Sequence, residues 1–389
     1  MSKDGNGLVE LKYNVLNCIL KVLLKIWPEQ IWGHYQPRDI IQPIIWATVR
    51  RTTIHRICED KILGPTDRTI RNYISQLSLT RILSQTSILL QKPISKILRP
   101  GKYKLAIDLT FIPYHGKPKK SSYEIVRSKA KSGTTHFHAY ASIYVIKQNK
   151  RFTLDIIPVW NDRSYIKVIE SLITRLKEDG FSVKLLCLDK AFYIVPVIKY
   201  LLEHNVPTII PAVPYGKYSK LKPLLNTRHS YRTKLTMTSR KYKTKVTFPL
   251  YIIRKYSKNK FTRSGAQTFS YVVLNIKLPL ARVFEEYRKR FGIESSYRLM
   301  NSCRARTTSR DPVYRLFLVF ISFLIMNYWI ASRWLYTSKP KRGGRVILYE
   351  QLRSHTFMVW IDRAIEEVYG LRSIWIDPMM ANYYGGENM

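Results

Sequence analysis

Acidic residues are scarce in this sequence. Among its 389 residues, 26 are Asp or Glu and 66 are Lys or Arg, which gives a formal net charge of +40 at pH 7. The basic residues are spread along the whole chain, so a polyanion must screen them, and nucleic acid is the usual partner. An anionic membrane surface is the competing partner. Because carboxylates are so few, each Asp in an apolar segment is a candidate for function.

Cysteines are also few, and no two of them are close in sequence. Cys18, Cys58, Cys187 and Cys303 form no Cys-x2-Cys pair, which gives no support to a zinc site or a disulfide framework. A reducing cytosol is therefore the expected compartment. The first residues, Met1 to Gly7, lack the apolar core of a signal peptide, so export is not expected.

Long apolar runs are limited to one segment. Residues 316–331 carry no charge, and the uncharged run between Arg315 and Arg333 approaches the length of a membrane span. The run contains Asn327, however, and Asp311-Pro312 before it is a typical N-cap and N1 pair of a soluble helix. The segment therefore predicts a buried core helix, and we expect no membrane partner.

Residues from about 10 to 98 show helical periodicity and predict an all-α region, bounded at residue 99. Within it, Thr66 and Asp67 begin a capped helix after Gly64-Pro65 and present Arg68 and Arg71 near its start. Such a helix is typical of a recognition helix in a DNA major groove. An ordinary helical bundle with a solvated basic face explains it equally well, and both interpretations stay open.

After Pro100-Gly101 the pattern changes to an α/β alternation that predicts a mixed sheet flanked by helices. The expected elements are strands at 103–113, 135–146 and 151–160, a helix at 164–179, a strand ending at Asp189, a helix to about residue 204 and a strand at 206–211. Residues 214–278 then alternate polar and apolar side chains, and residues 215–282 contain no Asp or Glu. We interpret them as an inserted basic β-subdomain that contacts DNA phosphates, with a dimer contact or a solvated surface as alternatives.

Three carboxylates stand out against this pattern. Asp108 in "AIDLT" and Asp189 in "CLDKAFY" lie in or at the end of strand-like segments, and Glu294 follows Tyr287 and Arg290 in "YRKRFGIE". At about 100° per residue, Tyr287, Arg290 and Glu294 share one helix face. Two strand aspartates and a helix glutamate form a possible metal site. Among other candidates, Asp155 is a rival acid, Asp162 is better explained as a helix N-cap, and His136 and His138 as packing residues.

These motifs resemble the DDE insertion-sequence transposases, in particular the branch marked by Tyr-x2-Arg-x3-Glu, over roughly residues 100 to 335. The resemblance implies an RNase H-like catalytic core in which Asp108, Asp189 and Glu294 bind two Mg²⁺ ions, with Mn²⁺ able to substitute. It also implies cleavage at transposon ends and strand transfer into target DNA. The chain departs from some relatives at Asn301, where they have Lys, and Arg298 is expected to contact phosphate instead.

The expected partner is double-stranded DNA, as terminal inverted repeats and as target, with a homodimer on the DNA and a cytoplasmic, nucleoid-associated location. Residues 279–336 would complete the core with the Glu294 helix and the apolar helix, and residues 337–389 form a C-terminal segment. Alternatives are a transposase-derived DNA-binding protein that no longer cuts, which predicts a broken triad, and a membrane-associated basic protein, which predicts more spans. The expected DNA-contacting residues are Arg68, Arg71, Tyr287, Lys289, Arg290, Arg298, Arg304 and Arg306.

Overall fold

The computed structural model describes residues 4–27, 33–118, 123–147, 150–161, 164–216, 219–256, 265–342 and 344–372. The chain divides into two compact units. Residues 1–78, 303–321 and 355–389 form one unit, and residues 79–302 and 322–354 form the other.

The described residues form the following helices and strands, each set numbered in chain order. The helices are α1 (Asp4–Leu23), α2 (Pro37–Val49), α3 (Ile54–Asp60), α4 (Asp67–Ser75), α5 (Leu79–Gln91), α6 (Tyr165–Glu178), α7 (Val195–Glu203), α8 (Leu221–Leu225), α9 (Leu280–Arg288), α10 (Gly292–Ser302), α11 (Pro312–Tyr336) and α12 (Ser354–Tyr369). The strands are β1 (Gly101–Pro113), β2 (Val126–Lys131), β3 (Thr134–Val145), β4 (Thr153–Val159), β5 (Phe181–Leu188), β6 (Thr208–Pro211), β7 (Tyr231–Ser239), β8 (Thr244–Tyr256), β9 (Ala266–Leu274), β10 (Ser338–Lys341) and β11 (Gly344–Ile347).

The region that was expected to be all-α up to residue 99 contains helices α1 to α5, of which α1–α4 belong to the first unit and α5 to the second. Helix α12 is fixed to α2 by Asp362, which accepts hydrogen bonds from Trp46 Nε1 at 2.6 Å and Arg50 Nε at 2.5 Å. The N-cap of α4 is Thr66, whose side chain accepts from Thr69 N at 3.2 Å. The expected capped helix is therefore confirmed. Whether α4 enters a DNA groove stays a prediction.

A mixed sheet of nine strands forms the second unit. Its order is β2-β3-β1-β5-β6-β9-β8-β7, and β4 pairs with a further part of β3. Strands β1, β5 and β6 are parallel, whereas β1–β3 and β3–β4 are antiparallel. The order β4-β3-β1-β5-β6 is the RNase H-like arrangement that the sequence predicts. Strand β2 was not predicted, because it is a short strand of mostly exposed residues without apolar alternation.

The segment expected to form an inserted subdomain continues this same sheet. Its alternating residues form β7, β8 and β9, as predicted, but β9 pairs antiparallel with β6 from Thr208↔Leu274 to Pro211↔Tyr271. The physical reason is that β6 would otherwise leave an unpaired strand edge, which is unfavourable for a buried strand. The insertion is thus an extension of the sheet and not a separate subdomain.

Helix α11 is the one helix in the described ranges that is long and apolar enough to span a membrane, and 94% of its most apolar window is buried inside the protein. Asp311 Oδ1 accepts from Val313 N at 2.8 Å, so the predicted N-cap is confirmed. In the second unit, the Asn327 amide donates to Leu90 O and Thr153 O at 2.9 and 2.7 Å. These contacts identify the segment as the core helix that was predicted.

Candidate active site

Asp108 and Asp189 lie side by side because their strands are parallel neighbours. The β1–β5 register pairs Ile107 with Leu188, and in both strands the residue that follows is an aspartate, Asp108 or Asp189. Asp108 lies within β1 and is 9% exposed, and Asp189 follows the last residue of β5. The sequence prediction that the two aspartates lie on neighbouring central strands is therefore confirmed, 81 residues apart in sequence.

One buried arginine connects the two carboxylates. Arg290 Nη1 donates to Asp108 Oδ2 at 3.2 Å, and Arg290 Nη2 donates to Asp189 Oδ1 at 2.7 Å. The Arg290 side chain is only 4% exposed, whereas that of Asp189 is 28% exposed. A planar guanidinium with a fork of donors suits this geometry better than a Lys would. The cluster carries two negative charges and one positive charge.

Tyrosine hydroxyls fix Arg290 from two sides. Arg290 Nε donates to the Tyr287 hydroxyl at 3.1 Å, and that hydroxyl donates to Leu188 O at 3.2 Å. The Tyr144 hydroxyl donates to Arg290 O at 2.6 Å. Tyr287 and Arg290 were expected to contact a DNA phosphate, but both are buried here, and Arg290 contacts the carboxylates. Because apolar residues of the sheet surround Arg290, the two aspartates are the charged acceptors available to its guanidinium.

The helix that was expected to run through Tyr287 and Glu294 is interrupted. Helix α9 ends at Arg288, residues Lys289–Phe291 form a 3₁₀ turn, and α10 begins at Gly292. A 3₁₀ turn advances 120° per residue, so the single face expected for residues 287, 290 and 294 is not maintained. Tyr287 and Arg290 are buried, and Glu294 is exposed.

Glu294 therefore does not join the aspartates in this structure. In the described part of the chain, no three His, Cys, Asp or Glu side chains come together closely enough to hold a metal ion. The expected three-carboxylate site is thus present as a pair of aspartates with Glu294 apart from them. Glu294 is still near enough for its charge to help raise the pKa of Asp108.

Burial dominates the electrostatics of Asp108. Loss of solvent raises the pKa of this carboxyl from 3.8 to about 6, although the Arg290 charge opposes the shift, and Asp189 adds to it. Tyr297 was not predicted as a site residue, but its hydroxyl is hydrogen-bonded to Ser142 Oγ at 2.8 Å. Ser142 lies opposite Asp108 in the β1–β3 register. The available signal in the sequence was the mostly apolar run 137–145 of β3, which places Ser142 among buried residues.

The remaining predicted DNA contacts lie in varied settings. Lys289 pairs with Glu286 at 2.8 Å, and Arg71 pairs with Asp67 at 2.7 Å. Arg304 is half-buried, and the others, Arg68, Arg298 and Arg306, are exposed. Exposure is compatible with DNA contact, which stays a prediction for these residues.

The rival candidates have structural roles where they are described. Asp155 is fully buried and paired with Arg175 at 2.6 Å, so it is not available to a ligand. Asp162 lies outside the described residues, and the N-cap of α6 is Ser164, which accepts from Lys167 N. His138 is buried with its ring against Tyr114 at 5.5 Å, as expected of a packing residue.

An RNase H-like sheet with two aspartates on adjacent parallel strands is typical of proteins that cleave or transfer polynucleotide strands. Comparison with known families specifies the class further: the transposase DDE domain matches residues 99–328. The chain belongs to this family of DDE transposases and functions in DNA transposition. Members of the family generally use divalent metal ions.

The fold is similar to that of a solved transposase. The cryo-EM structure of a piggyBac transposase synaptic complex with hairpin DNA aligns with a TM-score of 0.51 and 11% sequence identity, covering 96% of this chain and 82% of that chain. No curated protein matches the chain in sequence. At this identity the likeness concerns the fold alone.

Proposed function

We propose that this transposase is a Mg²⁺-dependent enzyme that cleaves the ends of its transposable element and transfers them to target DNA. In the proposal, Asp108, Asp189 and Glu294 are the metal ligands. The observation that carries it is the meeting of Asp108 and Asp189 around one cationic group, the Arg290 guanidinium. Two carboxylates that share a single guanidinium leave an excess of negative charge, and such a site is suited to bind a further cation.

The donor set fits a hard divalent ion. Carboxylate oxygens are the ligands that Mg²⁺ prefers, and Mn²⁺ accepts the same ligands. Two ions per site, when bound, would activate the attacking hydroxyl and stabilise the leaving 3′-oxygen. The protein's own contribution is to hold Asp108 and Asp189 in register through β1 and β5, and to keep Arg290 between them.

The segment between α9 and α10 can act as a hinge for Glu294. The 3₁₀ turn Lys289–Phe291 and Gly292 separate α10 from α9, and a 3₁₀ stretch between helices is a common place for a hinge. Glu294 has no hydrogen-bonded or ion-paired partner in the described residues that would hold it elsewhere. We therefore assign Glu294 as the third ligand, reached by a shift of α10 when DNA is bound.

DNA binding is assigned in part to the extended edge of the sheet. Strands β7 and β8 contain no carboxylates, and one of their faces carries the exposed basic residues Arg232, Lys234 and Lys245. Exposed Lys and Arg side chains suit the phosphates of a DNA backbone, which carry most of the affinity of such proteins. The proposed partners are the terminal inverted repeats and the target DNA. A homodimer on the DNA and a cytoplasmic, nucleoid-associated location complete the proposal.

A strand-cleavage assay tests it. The protein is incubated with labelled duplexes that carry the ends of its own element, with Mg²⁺, Mn²⁺, Ca²⁺ or a chelator, and the products are resolved on a denaturing gel. We expect cleavage with Mg²⁺ and Mn²⁺ only, and none of a duplex with a scrambled end. Cleavage that persists in the chelator would contradict the metal assignment.

A further inference from the structure

A cavity of about 350 Å³ lies behind the helix that carries Glu294. Its wall combines two arginines, Arg151 and Arg333, with the rings of Trp329 and Tyr349 and the hydroxyl-bearing residue Ser295. No Asp or Glu lines it. Since a water molecule occupies about 30 Å³ of liquid, the space admits a group several times larger than water.

Arg333 is held as an oriented donor in this wall. Its guanidinium lies over the Trp329 ring at 4.1 Å and over the Tyr349 ring at 4.9 Å. Stacking uses the faces of the guanidinium and leaves its N–H groups pointing along its edge. The Nε–H is buried and has no hydrogen-bond acceptor among the described residues. A buried charged donor of this kind indicates a site for an acceptor from outside the chain.

Arg151 is the second cation of the cavity, and its position explains why residue 292 is a glycine. A Cβ at Gly292 would lie 2.5 Å from Arg151 Nη1, so the guanidinium packs directly on the start of α10. Neither Arg151 nor Arg333 has a carboxylate partner in the described ranges. Burial lowers the pKa of nearby Lys150, and the charges of Lys147 and Arg345 lower it further. Positive charge therefore accumulates on this side of the unit without neutralisation.

We propose that this cavity is a phosphate-binding site, separate from the aspartate pair, in which Arg151 and Arg333 hold the phosphate oxygens of a nucleotide. A planar guanidinium fork is the usual recognition group for phosphate. The rings of Trp329 and Tyr349 provide an apolar wall for the attached sugar. The phosphate can belong to a DNA backbone or to a free mononucleotide.

The position of the cavity gives the site a consequence for catalysis. At about 100° per residue, Gly292, Ser295 and Leu299 share a face of α10 that lies roughly 130° from Glu294. A phosphate bound on that face would contact α10 on the side away from Glu294 and would stabilise one position of the helix, and therefore of Glu294. Arg151 and Arg333 are positioning residues in this view, since neither contacts the aspartates.

Binding measurements on charge-removing variants test the inference. Arg333→Gln and Arg151→Gln each remove one guanidinium, and the matched control is Arg363→Gln, an exposed arginine of α12. Because Arg333 is partly buried, the exposed Arg151 provides the variant that keeps its fold. The probes are inorganic phosphate, deoxyadenosine monophosphate and a 30-base-pair duplex, each against NaCl of equal ionic strength. The readouts are thermal unfolding for the small anions, and for the duplex its Kd and salt dependence.

The two sources of phosphate give different results. If the site takes a DNA backbone phosphate, both variants weaken duplex binding about tenfold and lower the log–log salt slope by about 1, relative to Arg363→Gln. If it takes a free nucleotide, the monophosphate raises the Tm of the wild type and the control but not of the two variants. Binding of every probe at the level of the control in both folded variants would overturn the inference. Asp108→Asn should bind the probes like the wild type, so a failure of the metal proposal is distinguishable from a failure here.

Discussion

Two arginine–aspartate clusters of the same unit have opposite characters. Asp155 is fully buried and accepts four hydrogen bonds, from Thr86 Oγ1, from its neighbour Ile156 N and from two nitrogens of Arg175. Its charge is balanced by one arginine. Asp108 and Asp189 share the single Arg290, and the Asp189 side chain is partly open to solvent.

This is the difference expected between a structural ion pair and a ligand-binding site. A carboxylate whose lone pairs are all used cannot accept a ligand, whereas a pair with excess negative charge and free lone pairs can. Proximity of Asp to Arg in a sheet is therefore uninformative by itself. The balance of charge and the number of accepted hydrogen bonds distinguish the two clusters.

The largest expected effect is the loss of cleavage when the open cluster is changed. Asp108→Asn, Asp189→Asn and Glu294→Gln should each lower cleavage by about 10³-fold or more, because each removes a proposed ligand. Gel assays at saturating DNA measure the rate, and a filter-binding assay should give nearly unchanged affinity for DNA. Cleavage at the wild-type rate by any one of them would remove that residue from the site.

Asp155→Asn should have the converse effect. It leaves the partly buried Arg175 without a full partner, which should reduce the free energy of unfolding by about 3 kcal/mol. Urea unfolding measures the loss, and cleavage per folded molecule at low temperature should stay at the wild-type rate. The control is Asp179→Asn, which removes the charge from a part-buried acceptor of the Gln91 amide and involves no arginine. A loss below about 1 kcal/mol would make the two clusters alike in stability.

The pH dependence of stability should also distinguish Asp108. Because its pKa is raised from 3.8 to about 6, the folded protein keeps a proton that the unfolded chain releases between these values. The stability from this group is complete below about pH 4 and falls as the pH rises to 6. Asn resembles the neutral carboxyl, so Asp108→Asn should gain up to about 2–3 kcal/mol over wild type by pH 7.5 and almost nothing at pH 4. Urea unfolding across this range measures the difference, and a constant difference would refute the shift.

Arg290→Ala tests whether the shared arginine serves the reaction or the metal site. Losing the planar guanidinium should raise the activation free energy of cleavage at saturating DNA by roughly 2 kcal/mol, which lowers the rate about 30-fold. The half-activating Mg²⁺ concentration should not rise, because a positive charge next to the carboxylates is removed. Titration of Mg²⁺ or Mn²⁺ measures both quantities. A large increase in that concentration at an unaltered maximal rate would mean that Arg290 supports metal binding directly.

The smallest expected effect is at Tyr297. Tyr297→Phe removes the hydrogen bond to Ser142 and leaves a buried hydroxyl unpaired, at a cost of about 1 kcal/mol. Urea unfolding measures it, and Ser142→Ala in the same background should restore part of the loss. A stability equal to the wild type in Tyr297→Phe would show that the hydrogen bond is replaced by water.

The aspartates were predictable from the sequence because strand periodicity is local and their register follows from parallel pairing. The same holds for the cap at Asp311 and the burial of α11. Two features were not predictable. The 3₁₀ turn at Lys289–Phe291 makes a hydrogen bond with a distant residue, because the hydroxyl of Tyr144, almost 150 positions away, donates to Arg290 O. The continuation of the sheet through β9 depends on the open edge of β6, which no local pattern reveals.

Parallel pairing of β1 with β5 also determines when the site can form. The two strands cannot pair until residues 181–188 have been synthesised, and β6 gains its second neighbour only with residues 266–274. Non-local pairing of this kind is slow compared with helix formation, and a chain emerging from the ribosome folds from its N-terminal side. The helical segments before β1 are therefore able to form first. A nascent chain that ends before α10 has DNA-attracting charge but no assembled catalytic centre.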